Sequence, residues 1–275
     1  MSKKKKIISL IVFIAIIALL IAGIILTRDS YKESETIQEI MKDAVLHDAE
    51  KVSLFGISYV NPGLISAYTV TAILFIFALI IRIFFIPKFK RIPGKLQLLL
   101  EQAVGMFDNL AKSNSPHRNK FLGAYIFSAG TYICIGTLFE LFGFQAVTPD
   151  GISVTLPAPL SDINGAIALG CLSYLIILSG GIIGNGFKGV GSTLKDFSLP
   201  ISMSFRLFGA LLSGALVTDL VYYYSLTSYV IPVIVGILFT LLHALIQAYV
   251  LTMLTALFYG EVSEPHLKVH KIKNQ

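Results

Sequence analysis

Five side chains able to carry charge or a strong hydrogen bond stand in stretches that are otherwise apolar: Glu140, Arg206, Asp219, His243 and Gln247. Arg206 is the most demanding of them. It sits in Ser202-Met203-Ser204-Phe205-Arg206-Leu207-Phe208-Gly209-Ala210-Leu211-Leu212-Ser213-Gly214. A guanidinium near the middle of a membrane-crossing helix costs about 3 kcal/mol on insertion scales, and it stays charged at any physiological pH. It must face a wet cavity or a partner, or else snorkel to the interface. Pro200 to Phe205 precede it and a long run of apolar or small residues follows it, which argues against snorkelling. His243 and Gln247 share one helical face with Thr240. A lone histidine in an apolar helix is ordinarily a hydrogen-bonded core residue. The company of Arg206, Asp219 and Glu140 in other apolar runs makes ion movement the sharper expectation. Gly209, Ser213 and Gly214 have the small-residue spacing that lets another surface approach a helix closely. Cys134 and Cys171 lie isolated in apolar runs and resemble core residues more than metal ligands or a nucleophile.

The elements that must position these groups are membrane helices. Of 275 residues, 55% are hydrophobic and 14% charged, against about 25% charged in an average soluble domain. The apolar residues fall in long runs, so the bilayer is the solvent for most of the chain. The expected class is an all-α membrane protein with about six spans: Ile7 to Leu26, Ser66 to Ile86, Phe121 to Phe144 (interrupted by Glu140), Asp162 to Ile183, Leu199 to Tyr223, and Tyr229 to Phe258. Residues 93–112 read instead as an amphipathic helix, with Leu96, Leu99, Leu100, Ala103, Val104, Phe107 and Leu110 at helical spacing.

Charge sets the orientation. The formal net charge is +6, and the basic residues cluster in alternate loops: Lys3 to Lys6, then Lys88, Lys90, Arg91 and Lys95, then Lys188 and Lys195, then Lys268, Lys271 and Lys273. The positive-inside rule places those loops in the cytoplasm. Topology explains the basic balance, so nucleic acid is not an expected partner. The first run is long enough to span and has no clear A-x-A site after it, so it reads as a retained anchor rather than a cleaved leader. The expected organisation is an anchor over 1–26, an extracytoplasmic segment over 27–63, a membrane domain over 64–260 and a cytoplasmic tail over 261–275, in a multi-pass protein of the plasma membrane.

Ser204-Phe205-Arg206-Leu207-Phe208-Gly209, followed by Gln247-Ala248-Tyr249-Val250-Leu251-Thr252-Met253-Leu254-Thr255, resembles subunit a of the F-type ATP synthase membrane sector. Ile92-Pro93-Gly94-Lys95-Leu96-Gln97 and Pro159-Leu160-Ser161-Asp162-Ile163-Asn164 extend the resemblance, in the family's order, over most of residues 65–260. It implies an ion-translocating stator without cofactor or metal and without catalysis of its own. Its partners would be the subunit c ring, the subunit b peripheral stalk, the remaining synthase subunits and the bilayer. A long antiparallel helix pair would face the ring. Protons, or sodium as the alternative ion, would pass through two half-channels. Arg206, Gln247, His243, Asp219 and Glu140 are the expected translocation residues, and Gly209, Ser213 and Gly214 the expected packing surface against the ring.

The sequence departs from the family pattern at three places. The family usually has Asn four residues after the arginine, often Glu nine residues after it, and often His or Glu seven residues before the glutamine. Here these are Ala210, Ala215 and Thr240. If Arg206 is level with Gln247, His243 falls level with Ala210 and fills the space of the missing Asn, while Asp219, one turn beyond Ala215, replaces the missing Glu. A secondary transporter for a small solute is the competing reading, but the chain shows none of the inverted repeats such proteins usually carry. An intramembrane hydrolase would need a nucleophile-base pair or a metal cluster.

Overall fold

The computed structural model describes residues 11–18, 22, 36, 38, 42, 52–54, 57–147, 153–223 and 231–264. Residues 11–18 are helical; the rest of the expected first span lies largely outside the described residues. Helix α1 (Pro62–Ile80) starts where the Asn61 side chain accepts a hydrogen bond from the Gly63 amide at 2.8 Å, with Pro62 at the first helical position. It runs on through a π turn and a 3-10 turn to Lys88, so that one apolar segment spans Pro62–Lys88. Then come α2 (Lys95–Asn114), α3 (Asn119–Leu141), α4 (Ile163–Asn185), α5 (Phe187–Lys195), α6 (Ser198–Tyr223) and α7 (Ile231–Ser263).

Five of the described segments are long and apolar enough to cross a membrane: Pro62–Lys88, α3, α4, α6 and α7. Their outward faces carry large apolar side chains. Phe75, Phe77, Leu175, Val233 and Leu245 are each more than half exposed, which water would not tolerate over a contiguous surface and lipid favours. The protein is a helical, multi-pass integral membrane protein.

Two antiparallel hairpins interrupt the helical pattern, β1 (Val52–Leu54) with β2 (Ile57–Val60) and β3 (Gln145–Val147) with β4 (Ser153–Thr155). The second fills the Pro- and Gly-containing loop after α3. That helix ends at Leu141, three residues before the expected Phe144. Glu140 sits inside its last turn, and the Gly143 amide, at φ +60°, donates back to the Glu140 carbonyl at 3.0 Å. A glycine accepts this left-handed geometry without Cβ strain, so it stops the helix. In contrast, α7 continues five residues past the expected Phe258, because Tyr259, Val262 and Ser263 are buried against the bundle. Helix α5 was not expected.

Helix α4 is central, packed against α5, α6 and α7, while α3 packs on α7 and on α2. Lipid tails are as apolar as leucine, so close van der Waals contact has to hold such helices together. The chain provides it with small residues. A Cβ at Gly180 would lie 2.7 Å from the Tyr259 ring, one at Gly184 2.5 Å from the Ser263 carbonyl oxygen, and one at Gly170 would collide with the Ser204 hydroxyl. Leu122, Ile126, Ile133, Ile177, Met203, Leu207 and Leu251 fill the core between these contacts.

Phe107 anchors α2 by lying over Gly130 and meeting Phe127 edge-on, with ring centroids 5.7 Å apart. Leu96, Leu99 and Val104, part of the expected apolar stripe, are exposed and point away from the bundle. The contacts orient the helices consistently. His117 and Ser263 are hydrogen-bonded at 2.9 Å, so α3 and α7 are antiparallel, whereas the Gly180 and Gly184 contacts make α4 and α7 parallel. One end of the bundle therefore gathers Lys88, Arg118, Lys120, Lys188 and Lys195, and is called the basic end below.

Candidate functional site

The helix that carries the arginine has two distinct faces. Met203, Ser204, Leu207, Leu211 and Gly214 are buried against the bundle, while Ser202, Phe205, Arg206, Gly209 and Ser213 are exposed. The period of a helix explains the split, since 202, 205, 206, 209 and 213 recur on one stripe. Arg206 is thus carried on a face that no described helix covers, and among the described residues it has no ion-pair or hydrogen-bond partner. A Cβ on Gly209 would meet nothing within 4 Å, so the surface beside the arginine is open. Ser213 turns its hydroxyl back to the Ala210 carbonyl at 2.8 Å.

Gly214 has another role from the one its spacing suggested. It faces into the chain, where a Cβ would lie 3.2 Å from His243 Nδ1 and 3.9 Å from Phe239 Cβ. Phe239 in turn lies with its ring centroid 5.8 Å from that of His243. Sequence reasoning passed over Phe239, although its spacing four residues before His243 is the signal for a shared helical face.

The contact of Gly214 with Phe239 Cβ, the side-chain atom nearest the backbone, fixes the register of α6 against α7. Gly214 is level with Phe239, and His243 stands one turn further in along α7, level with Ala210, with its ring reaching back over Gly214. The bulky imidazole and Phe239 settle over the one position without a side chain, which is where the two helices can come closest. Counting along the antiparallel pair then sets Gln247 level with Arg206. Gln247 is 7% exposed and belongs to the buried face of α7, with Ala244, Ala248 and Leu251. No hydrogen bond joins it to Arg206.

The remaining ionisable groups gather at the other end of the bundle. Glu140 and Asp219 come from α3 and α6 and lie within electrostatic range of one another. Thr252 lies against Gly130 across the antiparallel α3–α7 pair, and counting from that contact sets Glu140 beside Leu242. The carboxyl of Glu140 is therefore level with His243, and Asp219 lies further out. From the level of His243 to that of Arg206 is about 6 Å along the helices. Polar groups from three helices thus step inward from Asp219 through Glu140 and His243 to Gln247 and Arg206. The arrangement suits passing a small cation between fixed groups toward a permanent positive charge. It has no nucleophile held against a base, and among the described residues no cluster of His, Cys, Asp or Glu is arranged to hold a metal.

A bundle of membrane-spanning helices with ionisable side chains in its spans, and an uncovered arginine on one of them, defines a membrane protein built for ion handling. Residues 66–260 match the family model described as ATP synthase A chain. The chain is 25% identical over 188 residues to the ATP synthase subunit a of Cereibacter sphaeroides, an alignment covering 64% of this chain and 72% of that relative. The chain belongs to the ATP synthase A chain family.

Proposed function

We propose that this chain is the ion-translocating stator subunit of an F-type ATP synthase in the plasma membrane, coupling a proton gradient to ATP synthesis carried out on other subunits. The observation that carries the reading is the exposed, unpartnered face of α6 on which Arg206 stands beside Gly209 and Ser213. A ring of small subunits, each with one membrane-buried carboxyl, would roll against that face. An opposite charge within about 4–6 Å favours the ionised carboxyl, so Arg206 would draw each arriving carboxylate and make it give up its proton. The same fixed cation would repel protons trying to pass directly between two half-channels. Each charge leaking through about 100 mV would waste about 2.3 kcal/mol.

Asp219, Glu140 and His243 would line the outer half-channel. Gln247, level with Arg206, would receive the guanidinium when the ring carboxylate leaves it. Helix α2 would lie along the cytoplasmic interface with Leu96, Leu99 and Val104 in the bilayer surface. The subunit b stalk would hold the chain still, and Ile7 to Leu26 would add a sixth span. The choice of H⁺ over Na⁺ would rest chiefly with the ring carboxyl site.

Purification of the tagged chain in mild detergent, with identification of its companions, tests this. A ring subunit, a stalk subunit and an ATPase head are expected. A chain that purifies alone from membranes containing an intact synthase overturns the proposal.

A further inference from the structure

We propose that the basic end of the bundle holds a site for the phosphate headgroup of an anionic phospholipid, built from His117, Arg118 and Lys120 over the ends of α4 and α7. A cavity of about 350 Å³ opens there, and these three side chains line it together with Phe121, Ile183 and Tyr259. It is set at the depth of a headgroup, since it lies between the first turn of α3 and the last turns of α4 and α7. Basic pockets between membrane helices at the cytoplasmic surface take lipid headgroups. This assignment needs only a membrane-embedded chain and is independent of the proposed rotary role.

Charge at the site is uncompensated. Arg118 and Lys120 have no ion-pair partner among the described residues, and no carboxylate lines the cavity. The first amides of α3 add partial positive charge, because Arg118 stands at its N-cap without a side-chain cap bond. Two carbonyls at the end of α7, which would oppose an anion, are already engaged. Asn185 Nδ2 donates to the Val262 and Glu264 carbonyls at 3.0 and 2.8 Å.

The other walls fit a lipid better than a free ion. Phe121 and Ile183 are 57% and 52% exposed on the outward side, where an acyl chain would descend. The Tyr259 hydroxyl, within electrostatic range of Arg118, closes the inner side, and tyrosines of this kind favour the headgroup level.

The test is native mass spectrometry of the intact chain in mild detergent, titrated with phosphatidylglycerol or with phosphatidylcholine of the same acyl chains. Wild type should prefer phosphatidylglycerol, and Arg118→Gln with Lys120→Gln should weaken that preference about thirtyfold, at about the worth of two basic residues near a membrane surface. Lys188→Gln, which removes a charge outside the cavity, should leave it unchanged. Equal retention of the two lipids by wild type overturns the site without recourse to any variant. So does an unchanged preference in the double variant, or an equal loss in Lys188→Gln. Displacement of phosphatidylglycerol by millimolar inorganic phosphate would make this a free-anion site and overturn the lipid assignment.

Discussion

Replacing Gly214 tests the register on which the account of the site depends. A Cβ at this position would stand 3.2 Å from His243 Nδ1 and 3.5 Å from its Cε1. The first distance is a few tenths of an ångström inside the optimum of about 3.5–4.0 Å. Alanine therefore needs only a small shift of the ring. Valine adds methyls on both sides of that Cβ, and with Phe239 Cβ only 3.9 Å away the ring has little room to retreat. Overpacking of this kind costs about 1–3 kcal/mol. Removing the imidazole should restore most of it, so Gly214→Val combined with His243→Ala should be more stable than the sum of the single changes predicts, with a coupling of at least about 1 kcal/mol. Reversible unfolding of the purified chain in mixed micelles, titrated with denaturing detergent, gives the four free energies of the cycle. Additivity to within about 0.5 kcal/mol would show that the two side chains do not touch. The level assigned to Gln247 and Arg206 would then fall with them.

Other consequences are separable from this one. Gly180→Leu should destabilise the bundle by about 1–3 kcal/mol in the same titration, since its Cβ alone would lie 2.7 Å from the Tyr259 ring; a neutral result would mean that α4 and α7 are not in contact there. Asp219→Asn and His243→Leu should each slow ion flux in vesicles while the complex still assembles, and wild-type rates in both would reduce these groups to packing. Reporter tags at residue 2, near residue 45 and at the C-terminus should read inside, outside and inside; an external C-terminal signal would invert the orientation proposed for both half-channels.

Much of the fold could be read from the sequence because lipid imposes a simple rule. A span must be long and apolar, so Ser66 to Ile86, Asp162 to Ile183 and Leu199 to Tyr223 come within a few residues of Pro62–Lys88, Ile163–Asn185 and Ser198–Tyr223. A helix is observed over Lys95–Asn114, two residues on from the stretch 93–112 expected to form one. Helix ends were harder, since they depend on local or tertiary contacts. Gly143 stops α3 early by turning left-handed, and burial of Tyr259 on Gly180 carries α7 further. Helix α5 is short and only partly apolar, and gave no span signal.

At the site, composition alone singled out Arg206, because an arginine in an apolar run needs a reason. The placement of Gly214 could not be read the same way. Small-residue spacing says that something approaches closely, not whether the visitor is another subunit or His243 of the same chain. The register of α6 on α7 follows from the contact of Gly214 with Phe239, which sets Arg206 level with Gln247. Phe239 was passed over because an aromatic residue in an apolar helix is unremarkable until its neighbour proves to be a histidine.

The most direct measurement is coupled pumping by the reconstituted complex carrying Arg206→Ala, with passive leak through the membrane sector followed in the same vesicles. Without the guanidinium a ring carboxyl at this face has no counter-charge and favours its protonated form. It would then slip past without releasing its proton. ATP-driven pumping and gradient-driven synthesis should both be abolished in an assembled complex, and passive leak should rise as the barrier between half-channels falls. Arg206→Lys should recover little, since an ammonium is shorter, more strongly hydrated and lacks the planar fork. Pumping at near-normal rate by the alanine variant, with assembly verified, would contradict the role given to Arg206.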